Sequence, residues 1–221
     1  LYSLAIGRDR AAFLDAQTKA RVIGNLNALN SRIIYSPMPC TGSLVHEVSP
    51  SDRLFSIAQK YKVNSDAIAL INNLKNDVIR PGQKLKILPL PAEIVVDKKE
   101  LTLTLFLGGK WIRQYQVCIG PGTKTPVGTF YIASKEKNPN WTDPYSKINY
   151  RYGDPANILG TRWLGFKRDG GPGEGIGIHG TTLPDTVPGR VSNGCVRLRN
   201  AEVEELFGLA LIGTAVTIVP E

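Results

Sequence analysis

Histidine is scarce in this sequence. The 221 residues hold two, His46 and His179, with three cysteines, Cys40, Cys118 and Cys195, and one methionine, Met38. No cysteine stands in a C-x-x-C pair, so the ligand spacing of a tetrahedral zinc site is missing, and neither a metal nor a cofactor is expected. No run approaches the roughly 18 apolar residues needed to cross a bilayer, which excludes a transmembrane helix within this sequence. Lys and Arg outnumber Asp and Glu by 27 to 19, a net charge of +8. They nevertheless form no block of the kind a nucleic-acid-binding arm carries, so no nucleic-acid partner is expected. Dispersed positive charge suits a mild attraction to an anionic cell envelope. The odd cysteine count leaves open whether Cys40 and Cys118 pair or remain thiols. Because the sequence opens on Leu1 and its one methionine is Met38, it is expected to be part of a longer, exported product whose signal lies outside it.

What is present is a change of period along the chain. From about Arg8 to Arg32, Phe13, Ala16, Ala20, Ile23 and Leu26 recur at three- and four-residue steps, the spacing of one helical face. Ser36-Pro37-Met38-Pro39-Cys40-Thr41-Gly42 then breaks the chain, since two prolines and a glycine favour turns. An N-terminal helical segment is therefore expected at 1–41. From Val45 to Leu88 the order reads strand, helix, helix, strand. His46-Glu47-Val48 opens it, Leu54, Ile57, Ala58 and Tyr61 and then Ala67, Leu70, Ile71 and Leu74 follow helical spacing, and Lys84-Leu85-Lys86-Ile87 closes it. Ser51 or Asp52 is placed to cap the first helix, and Asn64 or Ser65 the second.

These residues resemble the lysin motif (LysM): Leu54-x-x-Ile57-Ala58-x-x-Tyr61-x-Val63, Ile71-Asn72-x-Leu74, and Ile79-x-Pro81-Gly82-Gln83-x-Leu85-x-Ile87. The usual glycine-aspartate pair of its first turn is replaced by Pro50-Ser51-Asp52. The resemblance implies a small β-α-α-β domain over 42–89 that binds N-acetylglucosamine-containing glycan strands, with its groove between Ser49–Arg53 and Asn76–Gly82.

Pro89-Leu90-Pro91 is a stiff connector, and beyond it the period becomes two. Glu93 to Asp97, Leu101 to Leu107, Trp111 to Ile119, Gly128 to Ala133, Ile176 to His179 and Ala215 to Val219 read as strands, with Leu101 to Leu105 alternating like a half-buried one. One helix, about Ala201 to Leu211, follows Asn200 as its cap. The fold class is α+β: the small domain, then a mainly antiparallel β-sandwich or barrel over 90–221 with one C-terminal helix. Ser134 to Gly175, rich in Asn, Pro, Gly and aromatics, reads as too irregular for core strands and as a long lid loop.

The chemistry concentrates in Ile178-His179-Gly180-Thr181 and Val191-Ser192-Asn193-Gly194-Cys195-Val196-Arg197-Leu198. A cysteine on a glycine-bearing turn, sixteen positions after a histidine, is a candidate nucleophile with its base. A free thiol is only roughly 3% thiolate at neutral pH, and a neighbouring imidazolium is expected to lower the Cys195 pKa. Successive N–H groups of the Asn193-Gly194-Cys195 turn can converge on one oxyanion, which suits acyl transfer from an amide.

From about Ala92 to Val219 the chain resembles the YkuD-type L,D-transpeptidase catalytic domain. The residues that carry this are Thr125-Pro126-x-Gly128-x-Phe130, Asn138-Pro139-x-Trp141, Leu159-Gly160-x-Arg162-Trp163-Leu164-Gly165, Ile178-His179-Gly180 and Ser192-x-Gly194-Cys195-x-Arg197. The resemblance implies attack by Cys195 on a peptidoglycan stem after its third residue. D-Alanine leaves, and the amine of another stem resolves the thioester into a 3–3 crosslink. It implies His179 as proton acceptor and donor, the Gly180 carbonyl as its orienting group, and Asn193, Gly194 and Cys195 as oxyanion donors. Many relatives have a second histidine where this chain has Asn193, so any role for that side chain is not carried over. Arg197, Ser192, Trp141, Tyr152 and Trp163 are the expected substrate contacts, with stem peptides as donor and acceptor. The same residues serve an L,D-carboxypeptidase that passes the acyl group to water, and a catalytically silent wall-binding protein is a reading of another class. Carbapenem acylation of Cys195 separates the last from the first two.

Overall fold

The computed structural model describes residues 15–169, 171 and 173–221. Phe13 and the start of the expected first helix lie outside the described residues, as do Gly170 and Pro172 of the expected lid. The chain divides into two compact units, residues 1–92 with 105–114, and residues 93–104 with 115–221.

In the first unit, helix α1 spans Ala16–Ile34, with Asp15 as its cap accepting from the Thr18 N–H at 2.9 Å. Its buried residues are Leu26 and Ile34, and Ala16 and Ala20 are exposed, so the covered face is rotated from the one expected. The reason is polar. Asn27 and Asn30 lie on the covered side, where Asn27 Nδ2 donates to Gln114 O at 3.1 Å and Asn30 Nδ2 donates to Ile112 O at 2.8 Å. Strand β1 (Leu44–Glu47), helices α2 (Leu54–Tyr61) and α3 (Ser65–Ile71) and strand β2 (Lys84–Ile87) follow, with β1 and β2 antiparallel. Ile57, Ile68, Leu85 and Ile87 form the core of this β-α-α-β body at 1% exposure or less. Burying such a side chain stabilises by about 1.5–3 kcal/mol. Neither Ser51 nor Asp52 caps α2: the cap position is Arg53, and Ser56 Oγ accepts its N–H at 3.1 Å. Asp52 instead accepts from the Ser49 N–H and meets His46 Nε2 at 2.9 Å, which holds its carboxyl below the usual range.

The second unit is built on an eight-stranded sheet in the order β11-β10-β9-β6-β12-β3-β4-β5. Its strands are β3 (Ala92–Asp97), β4 (Thr102–Leu107), β5 (Lys110–Gln116), β6 (Gly128–Lys137), β9 (Arg162–Lys167), β10 (Gly173–His179), β11 (Val196–Arg197) and β12 (Ala215–Val219). The tip of the β4–β5 hairpin, 105–114, belongs to the first unit. Antiparallel pairings join β6 to β9 and β12 and β9 to β10, and two pairings are parallel, β3 with β12 and β10 with β11. Strand β4 is not half-buried: Thr102, Leu103, Thr104 and Leu105 are all buried.

The expected lid is corrected in extent. Residues 162–167 are a central strand of the sheet, with Leu164 and Phe166 at 0% and 2% exposure. Gly165 serves close strand packing there, because a Cβ on it would stand 2.5 Å from Ser134 Oγ. The irregular part is 138–161, folded around a short hairpin of β7 (Trp141–Thr142) and β8 (Asn149–Tyr150) in which Trp141 stacks on Tyr150. Helix α4 spans Asn200–Leu209 and its cap is Arg199, so Asn200 is the first helical residue. Cys40 and Cys118 are both free thiols. No helix among the described residues is long and apolar enough to cross a membrane.

Candidate active site

Strand register assembles the site. In the parallel β10/β11 pair, Ile178 lies opposite Val196 and His179 opposite Arg197. Side chains alternate along a strand, so Ile178 and Val196, both fully buried, share the core face. His179, Arg197 and, one step before β11, Cys195 fall on the other. That face opens on a cavity of about 340 Å³. It is lined by Cys195, His179, Arg197, Ser192 and Asn193, by Pro139, Asn140, Trp141, Thr142 and Pro144 of the lid, and by Trp163 and Glu136.

The turn before Cys195 is held by one hydroxyl. Ser192 Oγ donates to Cys195 O at 2.6 Å and accepts from the Gly194 N–H at 3.2 Å. Ser192 is 1% exposed, and its hydroxyl is engaged within the turn although the residue lines the cavity. The Gly194 N–H is engaged as well. Of the three expected oxyanion donors, the N–H groups of Asn193 and Cys195 are the two with no hydrogen-bonded acceptor among the described residues.

His179 is 2% exposed and its Nδ1 lies 2.6 Å from Gly180 O. A carbonyl can only accept, so Nδ1 carries the proton and Nε2 keeps the lone pair. Trp163, opposite His179 in the β9/β10 register, stacks on the imidazole with ring centroids 5.9 Å apart. Burial, and then the Arg197 charge, push the imidazole pKa down to about 4, outweighing the opposing hydrogen bonds to the backbone of Gly180 and Leu159. Burial raises the Cys195 thiol above its ordinary value, partly offset by a hydrogen bond from the Gly177 backbone and by Arg197. Both shifts run against the expected imidazolium beside a thiolate, because burial disfavours the charged form of each group.

Arg197 is 8% exposed, and its Nε has no partner among the described residues. Its backbone is clamped by Cys118, with Arg197 N donating to Cys118 O at 2.7 Å and Cys118 N donating back at 3.0 Å. Tyr152 is not in this cavity. It lines a neighbouring hollow of about 190 Å³ with Thr161, Thr182 and Asn200. Trp141 and Trp163 do line the main cavity, each stacked on a neighbour. Asn200 was missed as a site residue because helix-start statistics account for it: its Oδ1 accepts from the N–H groups of Thr161 and Thr181, at 3.3 and 3.0 Å, tying down both sides of Gly180. Among the described residues no group of three His, Cys, Asp or Glu side chains clusters as metal ligands.

Residues 91–218, more than half the chain, match the model of the L,D-transpeptidase catalytic domain known as YkuD. The chain belongs to the YkuD family of L,D-transpeptidases. Residues 46–88 of this L,D-transpeptidase match the LysM domain. It is similar to YqjB of Bacillus subtilis, at 39% identity over 136 residues, 60% of this chain and 75% of that protein. YkuD of the same organism is 32% identical over 182 residues, 79% of this chain and 98% of that one. YcfS of Escherichia coli is 33% identical over 215 residues, 83% of this chain and 66% of that one. All three bear L,D-transpeptidase names.

Proposed function

We propose that this enzyme forms 3–3 crosslinks in peptidoglycan through a thioester on Cys195, releasing D-alanine. The observation that carries this is His179, its Nδ1 held by Gly180 O, lining one cavity with Cys195, with burial pushing the imidazole pKa down to about 4. Cys195 Sγ attacks the stem amide after the third residue while His179 Nε2 takes the thiol proton. The carbonyl oxygen becomes an oxyanion facing the Asn193 and Cys195 N–H groups. The C–N bond breaks, His179 returns the proton to the departing amine, and D-alanine leaves a thioester. An acceptor amine then attacks, its proton passes through His179 to sulfur, and the C–S bond breaks. Arg197, a fixed charge whose Nε has no partner among the described residues, takes a stem carboxylate. Trp141 and Trp163 flank the stem, and the 138–161 lid keeps water from the thioester.

Residues 42–89 act as the glycan-binding domain, 90–221 as the catalytic domain, and 1–41, which carries helix α1 at Ala16–Ile34, as an extension of the former. A surface hollow lined by Asn76, Val78, Arg80, Pro81, Gly82 and Gln83 coincides with half of the expected glycan groove. The enzyme works at the cell wall, outside the cytoplasm. Incubation with a disaccharide-tetrapeptide donor and an acceptor stem is expected to yield a crosslinked dimer and free D-alanine, resolved by mass spectrometry. Tripeptide alone would mean that water, not an amine, is the acceptor.

A further inference from the structure

We propose that Thr125 is a positioning residue for the oxyanion site, which rests on the reading of Cys195 as the acylated nucleophile. Thr125 is fully buried. Its Oγ1 donates to Gly194 O at 2.9 Å and accepts from the Gly120 N–H at 2.8 Å, so the hydroxyl is committed in both directions. The residue is itself pinned: Lys98, 4% exposed, donates from Nζ to Thr125 O at 3.1 Å and to Gly122 O at 2.7 Å.

The consequence follows from peptide planarity. The carbonyl of Gly194 and the N–H of Cys195 belong to one peptide unit, and in a trans peptide they point in opposite directions. Drawing Gly194 O onto the Thr125 hydroxyl turns the Cys195 N–H away from it. That N–H has no hydrogen-bonded acceptor among the described residues. Gly194 permits the arrangement, because its φ of 132° is one that L side chains rarely adopt and a Cβ there would stand 2.9 Å from Lys124 O. Thr125 touches no reacting atom. It sets the direction of a donor that does, which is a different task from filling the core.

A comparison of two reactions of the same thiol separates these tasks. Acylation by p-nitrophenyl acetate passes through a tetrahedral oxyanion, whereas alkylation by iodoacetamide is displacement at a saturated carbon and makes none. Thr125→Val is expected to slow acylation of Cys195 by about 100-fold, the scale of losing one oxyanion donor, with alkylation unchanged. Thr125→Ser, which keeps the hydroxyl, is expected to restore acylation. Thr125→Ala gives the same contrast should Val not fold, because it places no methyl against Gly194 O. Equal slowing of both reactions, or slowing of neither, would overturn the proposal. Neither probe needs a stem peptide, so failure of stem turnover leaves this ratio readable. A wild type that is alkylated at Cys195 but never acylated would overturn the nucleophile reading and this one with it.

Discussion

His179→Gln is expected to lower stem acyl transfer by about 1,000-fold, within the range of a lost general base, while leaving iodoacetamide alkylation of Cys195 at pH 7 nearly unchanged. The two halves of this result have one cause. With the imidazole pKa pushed down to about 4 and the thiol raised by burial, His179 is not expected to hold Cys195 as a thiolate at rest. It contributes only when a proton has to leave during attack. An ion-pair site behaves otherwise, losing thiol reactivity and acyl transfer together. The pH dependence has a definite sign. His179 can accept a proton only while neutral, and its pKa is depressed, so the acid limb of turnover falls as pH drops through about 4 and not near the ordinary 6.5. Alkylation should keep rising with pH beyond the ordinary thiol pKa, because Cys195 is raised. A flat alkylation plateau from about pH 5 to pH 8 that disappears in His179→Gln would show that the site rests as an ion pair.

Lys86→Ala is expected to destabilise the first unit by about 3 kcal/mol, seen as a lower melting temperature and faster amide exchange at the end of α1. Lys86 is 1% exposed, and its Nζ donates to Ile33 O at 2.5 Å, Ser36 O at 3.2 Å and Ile34 O at 3.4 Å. An ammonium has three donors, and here three carbonyls around a helix C-terminus use them. Truncation leaves those carbonyls without this donor and opens a void in the core. Lys86→Met, which fills the void but cannot donate, separates the two losses and should recover only part of the stability. An unchanged melting temperature in Lys86→Ala would mean that water satisfies the carbonyls equally well.

The features legible in the sequence are those with a short-range signature. The apolar spacing of Leu54, Ile57, Ala58 and Tyr61 gives α2 directly, and the alternation after Pro91 announces β structure. His179 and Cys195 stand out because each has a glycine beside it, Gly180 and Gly194, in a chain with few histidines and cysteines. Strand β9 escapes notice because Trp163 and Gly165 resemble the aromatic- and glycine-rich lid before them, and the glycine is explained by the close approach of Ser134 Oγ and Trp163 Nε1. Parallel pairing of β12 with β3 joins residues more than a hundred positions apart, which no local period records. The roles of Thr125, Asn200 and Lys86 are equally non-local, since each side chain meets backbone far away in sequence. The opposed pKa shifts of His179 and Cys195 come first from burial, which two motifs read in isolation do not carry.

The most direct test of the central claim is the intact mass of wild type and of Cys195→Ala after incubation with a disaccharide-tetrapeptide donor and no acceptor. Wild type is expected to gain the mass of the donor less D-alanine, on Cys195, and the variant to gain nothing. Turnover of the donor by Cys195→Ala, or loss of D-alanine from it with no adduct on wild type under any quench, would contradict a thioester on Cys195.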